Sequence, residues 1–325
     1  MKKLLVLFTL LAGLLPQLGF ADGKVRIGYW TSGVSLGYGA VLESQDFLKK
    51  RGVDAEFVHF PDVNAPLKAL ASGSIDLAFG APVAGVFSVA AEGVPVKIFA
   101  ATQPADVAFV VPENSPITAL SQLKGKKVGM SPAGSSVAVI GTTILQENAG
   151  IAPSEFSLIG GNESRLAQFL AQNQVDAAAL RTLTVNQLPD LKLRVISTFA
   201  DEWKKLTHSD ALPYIGVGTV RSELISQQPE TVAKVIAALR DTLDWGRSHP
   251  DEVVNILKAK ASLPEEQARA YVNLWDRMNR MSFETTDIDT LKREHAVLLS
   301  SGSIKGGLQD DLFDPRPYIA SKGLK

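Results

Sequence analysis

Ala-Leu-Ala-Ser-Gly-Ser-Ile-Asp-Leu-Ala-Phe-Gly-Ala-Pro, residues 69–82, compresses a helix end, a turn, a strand and a strand-end loop into one stretch. The apolar spacing predicts a helix over 63–72 and a short buried strand over 75–79. Asp76 is expected to cap the turn into that strand. Gly80-Ala81-Pro82 then forms the loop at the strand's carboxyl end, and a helix follows over 83–92. The pattern recurs. Leu-Ala-Gln-Phe-Leu-Ala-Gln-Asn-Gln-Val-Asp-Ala-Ala-Ala at 166–179 matches residues 67–79, and Gly-Lys-Lys-Val-Gly-Met at 125–130 matches Gly-Lys-Val-Arg-Ile-Gly-Tyr at 23–29. From Gly28 to Asp76 is 48 positions, and from Gly129 to Asp176 is 47. Strand, helix and Asp-initiated strand keep both order and spacing, which predicts two similar α/β units of about 100 residues.

Outward from these segments, strands are expected over 25–29, 55–60, 96–102 and 107–111, with helices over 38–51 and 137–148. Strands and helices that alternate in this way predict an α/β chain with mostly parallel sheets. The tail differs: it reads as helices over 229–249, 251–261, 264–280 and 287–301, preceded by a short crossing, Tyr214–Arg221. Crossings near 105 and 215 divide the chain into a first lobe, 22–105 plus 216–325 with its helical tail, and a second lobe, 106–215. The two lobes share a two-crossing hinge.

The start of the chain reads as an export signal over 1–21. Lys2 and Lys3 precede an apolar run, Leu4–Leu15, and Gly19 and Ala21 occupy the −3 and −1 positions of a cleavage site. The run is too short to span a bilayer. The expected location is the periplasm, as a soluble monomer.

Composition removes several functions. Lys and Arg total 33 against 34 Asp and Glu in 325 residues, so no basic excess suggests nucleic acid. The chain contains no cysteine, which excludes disulfides, thiol nucleophiles, cysteine-ligated metals and a lipid anchor on cysteine. No phosphate-binding glycine loop, Rossmann fingerprint or Gly-x-Ser-x-Gly elbow is present. His59, His208, His249 and His295 lie far apart, which gives no metal-ligand spacing. The expectation is a non-enzyme with no catalytic residues, metal or cofactor.

What remains is a set of strand-end loops, where open α/β sheets bind ligands. Trp30, Thr31 and Ser32 follow the first strand, and Gly80, Ala81 and Pro82 follow the strand begun at Asp76. Gly134, Ser135 and Ser136 precede the helix over 137–148. Arg181 and Thr182 are the second-repeat counterpart of the Ala81 loop. Loops that open helices expose N–H groups and favour anions. Plain N-capping by Ser and Thr is the competing explanation for each hydroxyl. Arg181 suits bidentate recognition of carboxylate or sulfonate, against a plain surface salt bridge.

Val-Arg-Ile-Gly-Tyr at 25–29, residues 69–82 and Leu-Lys-Gly-Lys-Lys-Val-Gly at 123–129 resemble the substrate-binding proteins of ABC importers for nitrate, taurine and aliphatic sulfonates. The resemblance covers residues 23–320. It implies a type II-like periplasmic binding protein fold, with two lobes closing on a small solute for delivery to a membrane permease and its ATPase. Those relatives usually place an aromatic and a small residue where Arg181-Thr182 stand, and often a hydroxyl pair where Gly80-Ala81 stand. A small anionic organic solute, sulfonate or carboxylate, is therefore expected. The alternatives are a periplasmic ligand sensor and an enzyme like the pyrimidine synthases of thiamine biosynthesis, which resemble cysteine-rich sequences.

Overall fold

The computed structural model describes residues 23–324, so the expected signal segment lies outside the described residues. In chain order the strands are β1 (Val25–Trp30), β2 (Ala55–Phe60), β3 (Leu77–Ala81), β4 (Val96–Pro104), β5 (Val107–Pro112), β6 (Lys127–Met130), β7 (Ser157–Gly160), β8 (Ala177–Arg181), β9 (Leu193–Thr198) and β10 (Tyr214–Arg221). They form two five-stranded sheets, ordered β2-β1-β3-β10-β4 and β7-β6-β8-β5-β9. Within each sheet the first three strands are parallel, and one strand from the far side of the hinge is inserted antiparallel.

That insertion corrects one reading. Tyr214–Arg221 is not a bare crossing. It is the fourth strand of the first sheet, hydrogen-bonded to β3 and β4. Buried along nearly its whole length, it offers the continuous apolar run of a central strand. The sequence pattern also missed β7, an edge strand of only four residues, and β9, an edge strand with no buried residue whose apolar side chains Leu193, Val195 and Ile196 fall on both faces. The helix expected over 38–51 begins earlier and is split into Gly33–Ser44 and Phe47–Lys50, with Asp46 in the left-handed region between them.

The repeat is a structural fact at an offset of 100 positions. Helix Ala65–Ala71 and helix Glu163–Ala171 both end in a left-handed residue, Gly73 at φ 74° and Asn173 at φ 53°. These are residue types that tolerate that conformation. Asp76 accepts the Arg26 amide at 2.9 Å, and Asp176 accepts the Lys127 amide at 2.8 Å. Each carboxylate pins the neighbouring strand to its own. The register matches as well: Gly28 lies opposite Ala78, and Gly129 opposite Ala178.

The larger core runs through both lobes. A second, smaller cluster lies on one face of the second sheet, where Ala108, Val110, Ala178 and Leu180 alternate with Phe109 and Ala179 of the main core. That alternation is the period of two that strands impose. The tail helix Pro229–Ser248 packs its buried face on the first lobe, and the helix Glu265–Asn273 reaches across to the second through Gln187, whose amide donates to Gln267.

Candidate functional site

The chain passes between the sheets at Ala105–Asp106 and again between Thr207 and Tyr214. The carboxyl ends of β1, β3, β6 and β8 therefore face one another across an interlobe cleft. Residues of the two lobes meet across it. Asn64 Nδ2 donates to the Ala133 carbonyl at 3.1 Å, the Ala84 amide donates to Ser136 Oγ at 3.2 Å, and the Arg181 guanidinium lies 5.2 Å from the Trp30 ring centroid. Trp30 and Arg181 come from different lobes and are both buried.

Each strand-end loop has a distinct part. Trp30 ends β1 and donates Nε1–H to the Pro61 carbonyl at 3.3 Å, which fixes its plane beneath Arg181. The Thr31 hydroxyl and amide both donate to the Phe60 carbonyl and tie β1 to β2. Ser32 begins the Gly33–Ser44 helix, but its hydroxyl makes no capping bond. Gly80 is buried at φ 69°, where an added Cβ would lie 2.6 Å from Ser35 Oγ and 2.8 Å from Gln103 Nε2. Only glycine fits that approach. Ala81 and Pro82 are buried, and Pro82 starts the Val83–Ala91 helix. Gly134 is exposed at φ 81°. Ser135 caps its helix through the Ala138 amide, as the simpler explanation held, whereas Ser136 makes the bond to the other lobe. Thr182 binds the hinge, with Oγ1 donating to Asp106 Oδ1 at 2.7 Å and its amide to the Asp106 carbonyl at 3.0 Å.

Arg181 lies on the cleft wall, only 4 % exposed, and is not a surface bridge. Its charge is nonetheless met inside the protein. Nη1 donates to Glu163 Oε1, and the Arg181 amide donates to Glu163 Oε2 at 3.2 Å. The Thr184 hydroxyl also donates to Glu163 Oε2. Two polar atoms next to this cluster are buried without a hydrogen-bond partner, Arg181 Nε and Asp106 Oδ2. Asp106 also pairs with Arg277 of the tail at 2.7 Å.

Glu163, Asp106, Ser35 and Gln103 escaped the sequence reading. Glu163 sits in the first turn of an amphipathic helix, where an acidic residue ordinarily means dipole compensation. The one signal for it was the repeat, which pairs Glu163 with Val63. The larger grooves lie away from the cleft. One of about 680 Å³ is lined by the start of β4 and by Asp311–Arg316, and one of about 590 Å³ lies beside the hinge at Asp210, Arg247 and Arg280. Among the described residues no three His, Asp or Glu side chains gather as a metal site, and no helix is long and apolar enough to cross a membrane.

The chain is similar to several known proteins. A Brucella abortus (strain 2308) binding protein is 24 % identical over 78 % of this chain and 77 % of its own. A Haemophilus influenzae protein named for thiamine biosynthesis is 26 % identical over 78 % of both. The Escherichia coli protein named for binding aliphatic sulfonates is 29 % identical over 52 % of this chain and 54 % of its own. Among solved structures, the alkanesulfonate-binding protein SsuA of Xanthomonas axonopodis pv. citri, bound to MOPS, superposes with a TM-score of 0.73 at 17 % identity, covering 88 % of this chain and 95 % of that one. The desulfurization enzyme DSZB superposes with a TM-score of 0.64 at 16 % identity, covering 92 % and 99 %. The fold is therefore that of the periplasmic binding proteins, a scaffold that also carries an enzyme. Residues 40–253 match the family described as NMT1/THI5 like, and the chain belongs to that family.

Proposed function

We propose that the chain is the solute-binding component of an ABC importer, capturing a small organic anion, a sulfonate or carboxylate, between its lobes and delivering it to a membrane permease. The observation that carries this reading is the meeting of Trp30 and Arg181 across the cleft. One lobe supplies a flat aromatic face and the other a guanidinium with an unpartnered Nε–H, both buried. A buried donor without a partner costs about 1–3 kcal/mol, and a solute oxygen would recover it. The two-crossing hinge allows the lobes to part and admit a solute. The names of the sulfonate-binding relatives point the same way. Binding rather than catalysis is supported by the absence of cysteine from the whole chain, since the pyrimidine synthases of thiamine biosynthesis resemble cysteine-rich sequences. Export to the periplasm, supported by the Lys2-Lys3 start and the Gly19/Ala21 pair, and action as a monomer complete the proposal.

A thermal-shift screen against alkanesulfonates, aromatic carboxylates, nitrate and bicarbonate tests it. A cognate solute at 100 times its dissociation constant adds about 2.7 kcal/mol of stability. A clear upward shift with a sulfonate or carboxylate is expected. No shift with any anion, or a shift that survives Trp30→Ala unchanged, would overturn the reading.

A further inference from the structure

We infer that Glu163 is an internal anion seated on Arg181, and that it sets how strongly the cleft binds a solute anion. The inference rests on the reading of the cleft as the solute site and names the residue that tunes it.

The repeat supplies the comparison. At the 100-position offset, Val63, Ala81 and Ala84 of the first lobe correspond to Glu163, Arg181 and Thr184 of the second. All six are buried. The three first-lobe residues are apolar, whereas their second-lobe counterparts form a closed polar triad. The equivalent first-lobe positions are therefore buried without any ion pair. A buried pair gains little over apolar packing, because desolvating both charges offsets their attraction. Packing alone gives no reason for the change of all three positions together.

Glu163 is not needed to cap its own helix. Asn162 does that, accepting the Arg165 amide at 2.9 Å. The Glu163 carboxylate instead takes up three donors, the Arg181 guanidinium, the Arg181 amide and the Thr184 hydroxyl. These are the donors a carboxylate or sulfonate would use. Trp30 covers the guanidinium face and leaves the Nε edge without a partner. A solute anion must displace Glu163 or share Arg181 with it, and like charges at that spacing repel. Neutralising Glu163 removes the competitor and keeps the cation.

The test is calorimetric titration of wild type and Glu163→Gln with 1-butanesulfonate and benzoate, with benzamide as the neutral control. The Gln side chain keeps an oxygen for the Thr184 hydroxyl. The expected result is tightening of about tenfold or more for at least one anion, no change for benzamide, and loss of the gain when Arg181→Met is added. Equal or weaker anion binding by Glu163→Gln would overturn the inference and leave the cleft reading standing. Binding of neither anion by either protein would overturn both. A gain shared by benzamide reports general loosening and also overturns the inference. Thr184→Val withdraws one donor from Glu163 without changing any charge, so it provides the test if the Gln variant does not fold. It should gain anion affinity in smaller measure, and an unchanged affinity would count against the inference.

Discussion

Arg181 and Glu163 are 4 % and 5 % exposed, so the stability of each depends on the other. Arg181→Ala leaves a carboxylate in the interior with only the Thr184 hydroxyl and a backbone N–H. Breaking a buried pair from one side costs about 3–5 kcal/mol. The triple variant Glu163→Val, Arg181→Ala, Thr184→Ala carries the first lobe's residue types at the equivalent positions and leaves no charge at the three sites. It should cost much less than Arg181→Ala alone, because an apolar set of suitable shape replaces an ion pair at little net cost. Urea unfolding reads both as midpoint shifts at constant slope. A triple variant as unstable as the single one would mean that the triad holds the lobe together.

The paired elements predict an asymmetry. Asp76 and Asp176 occupy equivalent strand starts, but Asp76 also receives both the Nε and Nη2 of Arg26 at 3.0 and 2.6 Å. Among the described residues, Asp176 receives the Lys127 amide and no arginine side chain. With Arg26 a third exposed, Asp76→Ala should cost about 2–3 kcal/mol, against about 1 kcal/mol for Asp176→Ala. Thermal unfolding of the two variants compares them, and equal losses would refute the assignment. A second element carries a pH signature. Glu294, on the helix Thr285–Ser300, accepts the Tyr214 amide at 2.8 Å where β10 begins. Burial pushes its carboxyl well above the usual carboxylate range, against the smaller lowering effect of the Tyr214 amide. The folded chain then holds a proton that the unfolded chain has released. Glu294's contribution is fully present below the ordinary carboxylate pKa and is lost as pH rises toward the folded value. Glu294→Gln keeps the acceptor and removes the titration. Its stability relative to wild type should improve as pH is raised, and parallel profiles would contradict the assignment.

At the scale of the whole molecule, the two-lobed fold was legible because the repeat is written in side chains that fix backbone geometry, Asp76 and Asp176 at the strand starts and Gly73 and Asn173 at the turns. The edge strands β7 and β9 were not legible, since β7 has only four residues and the apolar residues of β9 fall on both of its faces. The cleft was half legible. Trp30 and Arg181 stood out at strand ends, but the partner of Arg181 lies 18 positions away on a helix, and no local spacing brings the two together. The proposed entry of solute between the lobes requires them to part. The absence of native cysteine allows a direct test. Asn64→Cys with Ala133→Cys replaces an existing interlobe contact by a disulfide that holds the cleft shut. The account predicts that the oxidised protein no longer binds the solute found by the thermal-shift screen, and that a reductant restores wild-type binding. Equal titration curves for the oxidised and reduced protein would contradict it.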